Sequence, residues 1–101
     1  MRRVFKYKLD HVDEQVVSIP PLAKTDDFKA QFLSIDAQDD ILCLWCMVDE
    51  DQPARNVRIN VFGTGQIVSP QLEQENYLGS YMLYNGAFVG HVFYEQGKKG
   101  G

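Results

Sequence analysis

Most of the chain alternates apolar and polar residues, and this pattern predicts an all-β fold: a compact antiparallel barrel or sandwich of about seven strands, with at most one short helical turn. Three observations carry that reading. Period-two alternation is clear in residues 4 to 9 and again in residues 57 to 62. The longest apolar run, residues 41 to 48, has the length of a single strand and must be covered on both faces. Gly, Pro, Asn and Asp punctuate the chain at short intervals, as turns between strands require.

In order along the chain, residues 4 to 9 set Phe5, Tyr7 and Leu9 against Lys6 and Lys8, one face for a core and one for water. Polar residues 10 to 14 turn the chain into a second strand over 15 to 19, ended by Pro20-Pro21, which cannot donate to a ladder. These two strands are expected to pair as a hairpin. In residues 22 to 36 two periods compete. Thr25 before Asp26 and Asp27 has the form of a helix N-cap with acids in the first turn. Phe28, Ala30, Phe32 and Ser34, however, alternate with Lys29, Gln31, Leu33 and Ile35 as a strand would. One helical turn near Thr25, then a strand from about Ala30, accommodates both.

Asp39-Asp40 turns the chain into residues 41 to 48, the expected central strand, with Trp45 largely buried near the middle of the core. A solvated loop over 49 to 56 leads to residues 57 to 62, where Val57, Ile59 and Val61 oppose Arg58 and Asn60. Gly63-Thr64-Gly65 breaks that strand, and Ser69-Pro70 with polar residues 71 to 76 makes a longer excursion. Residues 77 to 84 and 87 to 94 then flank Asn85-Gly86, a pair suited to the two positive φ angles of a type I′ hairpin turn. Residues 1 to 95 read as a single β domain and 96 to 101 as a flexible C-terminal tail.

Length and charge narrow the function. A chain of 101 residues supports one hydrophobic core. With 14 acidic and 10 basic side chains the net charge is -4, which offers no electrostatic footprint for a phosphate backbone, so nucleic acid is not an expected partner. Arg2 and Arg3 are not followed by a signal-type apolar segment, and the run at 41 to 48 is too short to cross a bilayer. A cytoplasmic protein without membrane association is expected.

Each candidate chemistry has a plain structural counterpart. Cys43-Leu44-Trp45-Cys46 has the spacing of redox and zinc sites, yet residues three apart on a strand face opposite sides, so two free core thiols are expected, with no metal and no cofactor. Gly63, Thr64 and Gly65 could present backbone N–H groups to an anion, with Arg58 as the nearest cation in sequence, but the signal is weak and a tight turn or bulge is the favoured reading of the glycines. His91 lies among Phe88, Val89, Val92 and Phe93, where a hydrogen-bonded structural role competes with that of a base. His11 in its acidic turn, and Asp36, Asp39 and Asp40, read as solvated groups that lack a calcium-loop pattern. Tyr77, Tyr81, Tyr84 and Tyr94 concentrate in the last hairpin and suggest either core filling or an interface.

Taken as an ordered series, Val4-Phe5-Lys6-Tyr7, Asp13-Glu14-Gln15, Leu42-Cys43-Leu44-Trp45 with Val48-Asp49, Val61-Phe62-Gly63-Thr64-Gly65, Tyr77-Leu78-Gly79 and Phe88-Val89 with His91-Val92-Phe93 resemble a small phage and prophage domain family of unknown function. Gly90 departs from the aromatic that the resemblance implies, and residues 22 to 29 look inserted. The resemblance implies a phage-related origin and a shared fold, and carries over no catalytic residues. Two functions are therefore expected in order. The first is a non-enzymatic accessory protein that acts by binding, inhibiting a host antiphage-defence protein or sequestering a nucleotide signal, and forming a homodimer. The alternative is a small hydrolase or nucleotide-processing enzyme that uses His91 and a carboxylate.

Overall fold

In a computed structural model, which describes residues 1–22 and 27–96, seven strands form two antiparallel sheets. One sheet orders β1 (Arg2–Leu9), β4 (Ile41–Asp49) and β3 (Phe32–Gln38) as β1-β4-β3. The other orders β2 (Glu14–Ile19), β5 (Arg55–Gly63), β7 (Phe88–Gln96) and β6 (Tyr77–Leu83) as β2-β5-β7-β6. The sheets pack as a sandwich, because the strands together give each sheet one apolar face to bury against the other. Leu42, Leu44, Cys46 and Val48 of β4 join Val57, Ile59 and Val61 of β5 and Val92 and Tyr94 of β7 in a single core. Phe5, Tyr7 and Leu9 enter it from β1, as the alternation predicts. No helix among the described residues is long and apolar enough to cross a membrane.

Two hairpins carry left-handed turns. Asn85 and Gly86 have φ of 56° and 88°, and the Ala87 N–H donates to the Tyr84 carbonyl at 3.1 Å, which closes the type I′ turn expected from that pair. Between β3 and β4 the same geometry is carried without glycine: Asp39 and Asp40 have φ of 52° and 59° between the partners Gln38 and Ile41. The two turns meet. Asp40 Oδ1 accepts from the N–H of Tyr84 at 3.0 Å, which also supports the positive φ of Tyr84. β3 and β6 run side by side from there, with Ile35 seated on Gly79 and Lys29 Nζ donating to the Tyr77 carbonyl. Within the larger sheet Gly90 faces Tyr81, and any Cβ at Gly90 would fall 2.5 Å from the Tyr81 ring. The lack of a side chain at Gly90 therefore makes room for Tyr81 on the partner strand.

Several expectations change. β1 and β2 do not form a hairpin: β1 pairs with β4 and β2 with β5, so residues 10 to 13 carry the chain from one sheet to the other. That corner has no positive-φ residue to support a tight turn, and the Gln15 side chain clamps it instead, accepting from the Asp10 N–H at 3.1 Å and donating to the Asp10 carbonyl at 2.8 Å. Thr25 lies outside the described residues. The helical turn α1 (Phe28–Gln31) is capped by Asp27, whose carboxylate accepts from the Lys29 N–H at 3.0 Å, and the strand begins at Phe32, two residues later than expected. Gln31 of α1 is buried and its Nε2 donates to the carbonyls of Pro20 and Met47 at 2.9 and 3.1 Å.

Trp45 also differs from expectation. It is half-buried and outside the core, because residues 42, 44, 46 and 48 take the inner face of β4 and leave Cys43, Trp45 and Met47 on the other. The ring is covered by a side chain in place of a layer: Lys6 Nζ lies 5.7 Å from its centroid and also donates to Gln38 Oε1 at 2.6 Å. Cys43 and Cys46 are free, buried, and on opposite faces of the strand. The tail beyond Gln96 lies outside the described residues.

Candidate functional site

The register of the larger sheet creates a concave corner at one end of the sandwich. β5 and β7 pair Phe62 with His91 and Gly63 with Gly90, so the glycine turn that follows β5 sits beside the start of β7. That turn is closed by one residue: the Gln66 backbone N–H donates to the Gly63 carbonyl at 3.1 Å, while the Gln66 side-chain Oε1 accepts from the Gly63 N–H. Gly65, at the turn's third position, takes φ of 90°, which only glycine adopts cheaply. From the other side the corner between β1 and β2 folds in, held by the Val61 N–H donating to the Asp13 carbonyl at 2.9 Å.

Two contiguous clefts open between these segments. The first, of about 480 Å³, is lined by His11, Val12, Asp13, Val61, Gly63, Thr64, Gln66, Ala87, Phe88 and Val89. The second, of about 470 Å³, shares Asp13, Val61 and Gln66 with it and adds Glu14, Asn60, Phe62, Ile67 and Ser69. His11 and Phe88 form an edge-to-face wall with ring centroids 4.8 Å apart, and Tyr81 Oη approaches His11 Nδ1 to 3.5 Å. The carboxylate of Asp13 makes no hydrogen bond or ion pair among the described residues. Glu14 instead pairs with Arg58 Nε at 3.1 Å. Among the described residues, no lysine or arginine lines either cleft.

Behind the glycine turn, on the outer face of the larger sheet, a line of polar groups fixes Thr64. His91 Nε2 shares a hydrogen bond with Thr64 Oγ1 at 2.8 Å, and His91 Nδ1 shares one with Ser80 Oγ, also at 2.8 Å. Ser80 Oγ bonds in turn to the Tyr77 hydroxyl. Both ring nitrogens of His91 are thus held by hydroxyls, which can donate or accept as the tautomer requires. Neither contact involves a carboxylate. Beside this line Phe93 packs on Phe62 and Tyr77, with centroids 5.7 and 5.3 Å apart.

Of the residues singled out from sequence, Gly63 and Thr64 line the cleft and Gly65 caps its turn. Arg58 is not brought to them: it lies on the outer face of β5, five residues and roughly 16 Å along the strand from Gly63. The four tyrosines divide. Tyr77 and Tyr84 are exposed, whereas Tyr81 and Tyr94 are core residues, Tyr94 with its ring 4.9 Å from that of Phe28. Burial pushes both of their hydroxyl pKa values up. Among the described residues no group of three or more His, Cys, Asp and Glu is placed to hold a metal. Sequence reasoning missed His11, Asp13, Gln66 and Phe88 as lining residues. No local signal marks them, since the sheet register and the corner between β1 and β2 bring them together.

The chain belongs to the family described as Domain of unknown function (DUF7352), which it matches over residues 1–100. No curated protein and no solved structure matches it.

Proposed function

We propose that this domain works by binding, occupying a target at the double cleft without transforming it. The observation that supports the reading is the convergence there of the glycine turn, the His11–Phe88 wall and the open Asp13 carboxylate, in hollows of about 480 and 470 Å³. Pockets of roughly 300 to 1,000 Å³ are the size that ligands and anchoring side chains fill. The motif series adds a phage or prophage setting. In that setting the target is a host antiphage-defence protein met in the cytoplasm, or a nucleotide signal. Exposed Met82 and Tyr84 on the last hairpin supply the surface for a homodimer.

One observation favours the enzymatic reading: the contact of 2.8 Å between Ser80 Oγ and His91 Nδ1 has the form of a nucleophile and its base. The third member of such a set would be the Thr64 hydroxyl, which orients an imidazole but cannot stabilise its charge as a carboxylate does. A thermal-shift series with nucleotides, cyclic dinucleotides and purified defence proteins tests the proposal, since anything that binds only the folded state raises the melting temperature. Binding unaffected by His91→Gln, without product formation, supports a binding protein. Turnover that His91→Gln and Ser80→Ala both abolish overturns it.

A further inference from the structure

The geometry points to a basic side chain, an arginine or lysine presented by a protein partner, as the occupant of the double cleft. This deepens the binding reading above and rests on it. Charge decides the class first. Among the described residues, Asp13 stands in both clefts with its carboxylate unpartnered and no lysine or arginine lines either cleft. The nearest cation considered from sequence, Arg58, is paired to Glu14. A nucleotide would bring two or more negative charges to this corner and meet a carboxylate.

Backbone groups point the same way. An anion nest at the glycine turn would need its first N–H, and that of Gly63 is already donated to Gln66 Oε1. A guanidinium or ammonium needs acceptors and aromatic faces instead. Asp13 supplies the acceptor, and the His11–Phe88 wall flanks an apolar stem along Val61 and Val89. The rim selects a protein over a free amine. Ile67 is 93% exposed on the second cleft and Val12 is 46% exposed on the first, so apolar side chains stand beside the charged hollow as they do around an anchor residue. The net charge of -4 favours a basic partner over an acidic one.

The test is a titration of the isotopically labelled protein, read by amide chemical shifts, with three probes: the acetylated, amidated pentapeptide Leu-Ala-Arg-Ala-Leu, the same peptide with citrulline in place of arginine, and adenosine monophosphate. The arginine peptide is expected to shift residues 11 to 13, 63 to 67 and 88 to 89 saturably, and to bind at least about tenfold more weakly to Asp13→Asn. Citrulline keeps the shape and loses the charge, and should lose affinity to a similar extent. Equal binding of the two peptides, no saturable shift with the arginine peptide, or displacement of that peptide from the cleft by the nucleotide overturns the basic occupant. The nucleotide result alone leaves the cleft as a binding site. Shifts with any of the probes that cluster around Trp45 and spare the cleft overturn the binding reading itself.

Discussion

Along the seam between β3 and β6 the polar groups are used and the packing is closed, whereas around the double cleft both are left open. At the seam Asp40 accepts from the Tyr84 N–H at 3.0 Å, Lys29 donates to the Tyr77 carbonyl, and Ile35 fills the space over Gly79 so closely that a Cβ there would lie 2.8 Å from its Cγ2. At the cleft the Asp13 carboxylate meets solvent and Ile67 stands 93% exposed. Both regions rest on left-handed turns, at Asp39-Asp40 and Tyr84-Asn85-Gly86 in one and at Gly65 in the other. The difference lies in what the turns hold. At the seam they join the two sheets of a domain too small to have contacts to spare. At the cleft a rigid scaffold holds loops that remain available to a ligand.

Substitutions at the two regions should therefore separate stability from binding. The largest loss is expected in the core that the seam closes: Leu44→Ala, at a fully buried position, should cost about 2 to 5 kcal/mol in denaturant unfolding. Gly90→Ala should cost about 1 to 3 kcal/mol, because the new methyl group meets the Tyr81 ring within a packed strand pair. Trp45→Ala should fall below Leu44→Ala, near 1 to 2 kcal/mol, since the ring is only half-buried under Lys6. Asp40→Ala, which leaves the Tyr84 N–H without its acceptor, should cost roughly 0.5 to 1.5 kcal/mol. Asp13→Asn and Ile67→Ser should stay within about 0.5 kcal/mol of the native protein while weakening partner binding. A cleft variant that unfolds the domain would break the comparison.

The thiols sharpen it through pH. Burial pushes the Cys46 thiol up to about 12 from its ordinary value of 9.0, so the folded chain holds that proton more tightly than the unfolded chain. The stability contributed by this group is complete below pH 9 and is lost as pH rises from 9 towards 12. Burial, with the charge of Cys46 adding to it, also raises Tyr7 to about 12, and its contribution falls away from pH 10 upward. Denaturant midpoints measured from pH 8 to 11 should decline, and Cys46→Ala should flatten the part of the decline that begins near 9. Mass spectrometry after non-reducing digestion should find both thiols free, as their opposite faces on β4 require.

Much of this fold is legible in the sequence, for a physical reason. Alternation in residues 4 to 9 and 57 to 62, and the pair Asn85-Gly86, are local signals, and the strands and the turn appear where those signals lie. Pairing is not local. Nothing in residues 10 to 14 shows that β1 and β2 part company, because the partners that claim them, β4 and β5, lie more than 30 residues away. Trp45 shows a related limit: an apolar run of eight does not reveal which parity faces the core, and the six other strands and the side chains around it decide. Of the candidate site, only the glycine turn is legible, for the same reason. Gly63 and Thr64 announce a turn, but His11 and Phe88 reach it only through the register of the larger sheet, and Arg58 is carried away from it by the length of β5.

Native-state amide hydrogen exchange tests the contrast between the closed seam and the open cleft most directly. The Tyr84 amide, held by Asp40, and the amides of β6 that bond to β7 should exchange at least about tenfold more slowly than those of residues 64, 65 and 67 to 69, and an added partner should slow the cleft amides alone. A Tyr84 amide that exchanges as fast as that of Gly65, or a partner that protects the seam and leaves the cleft unchanged, would contradict the account.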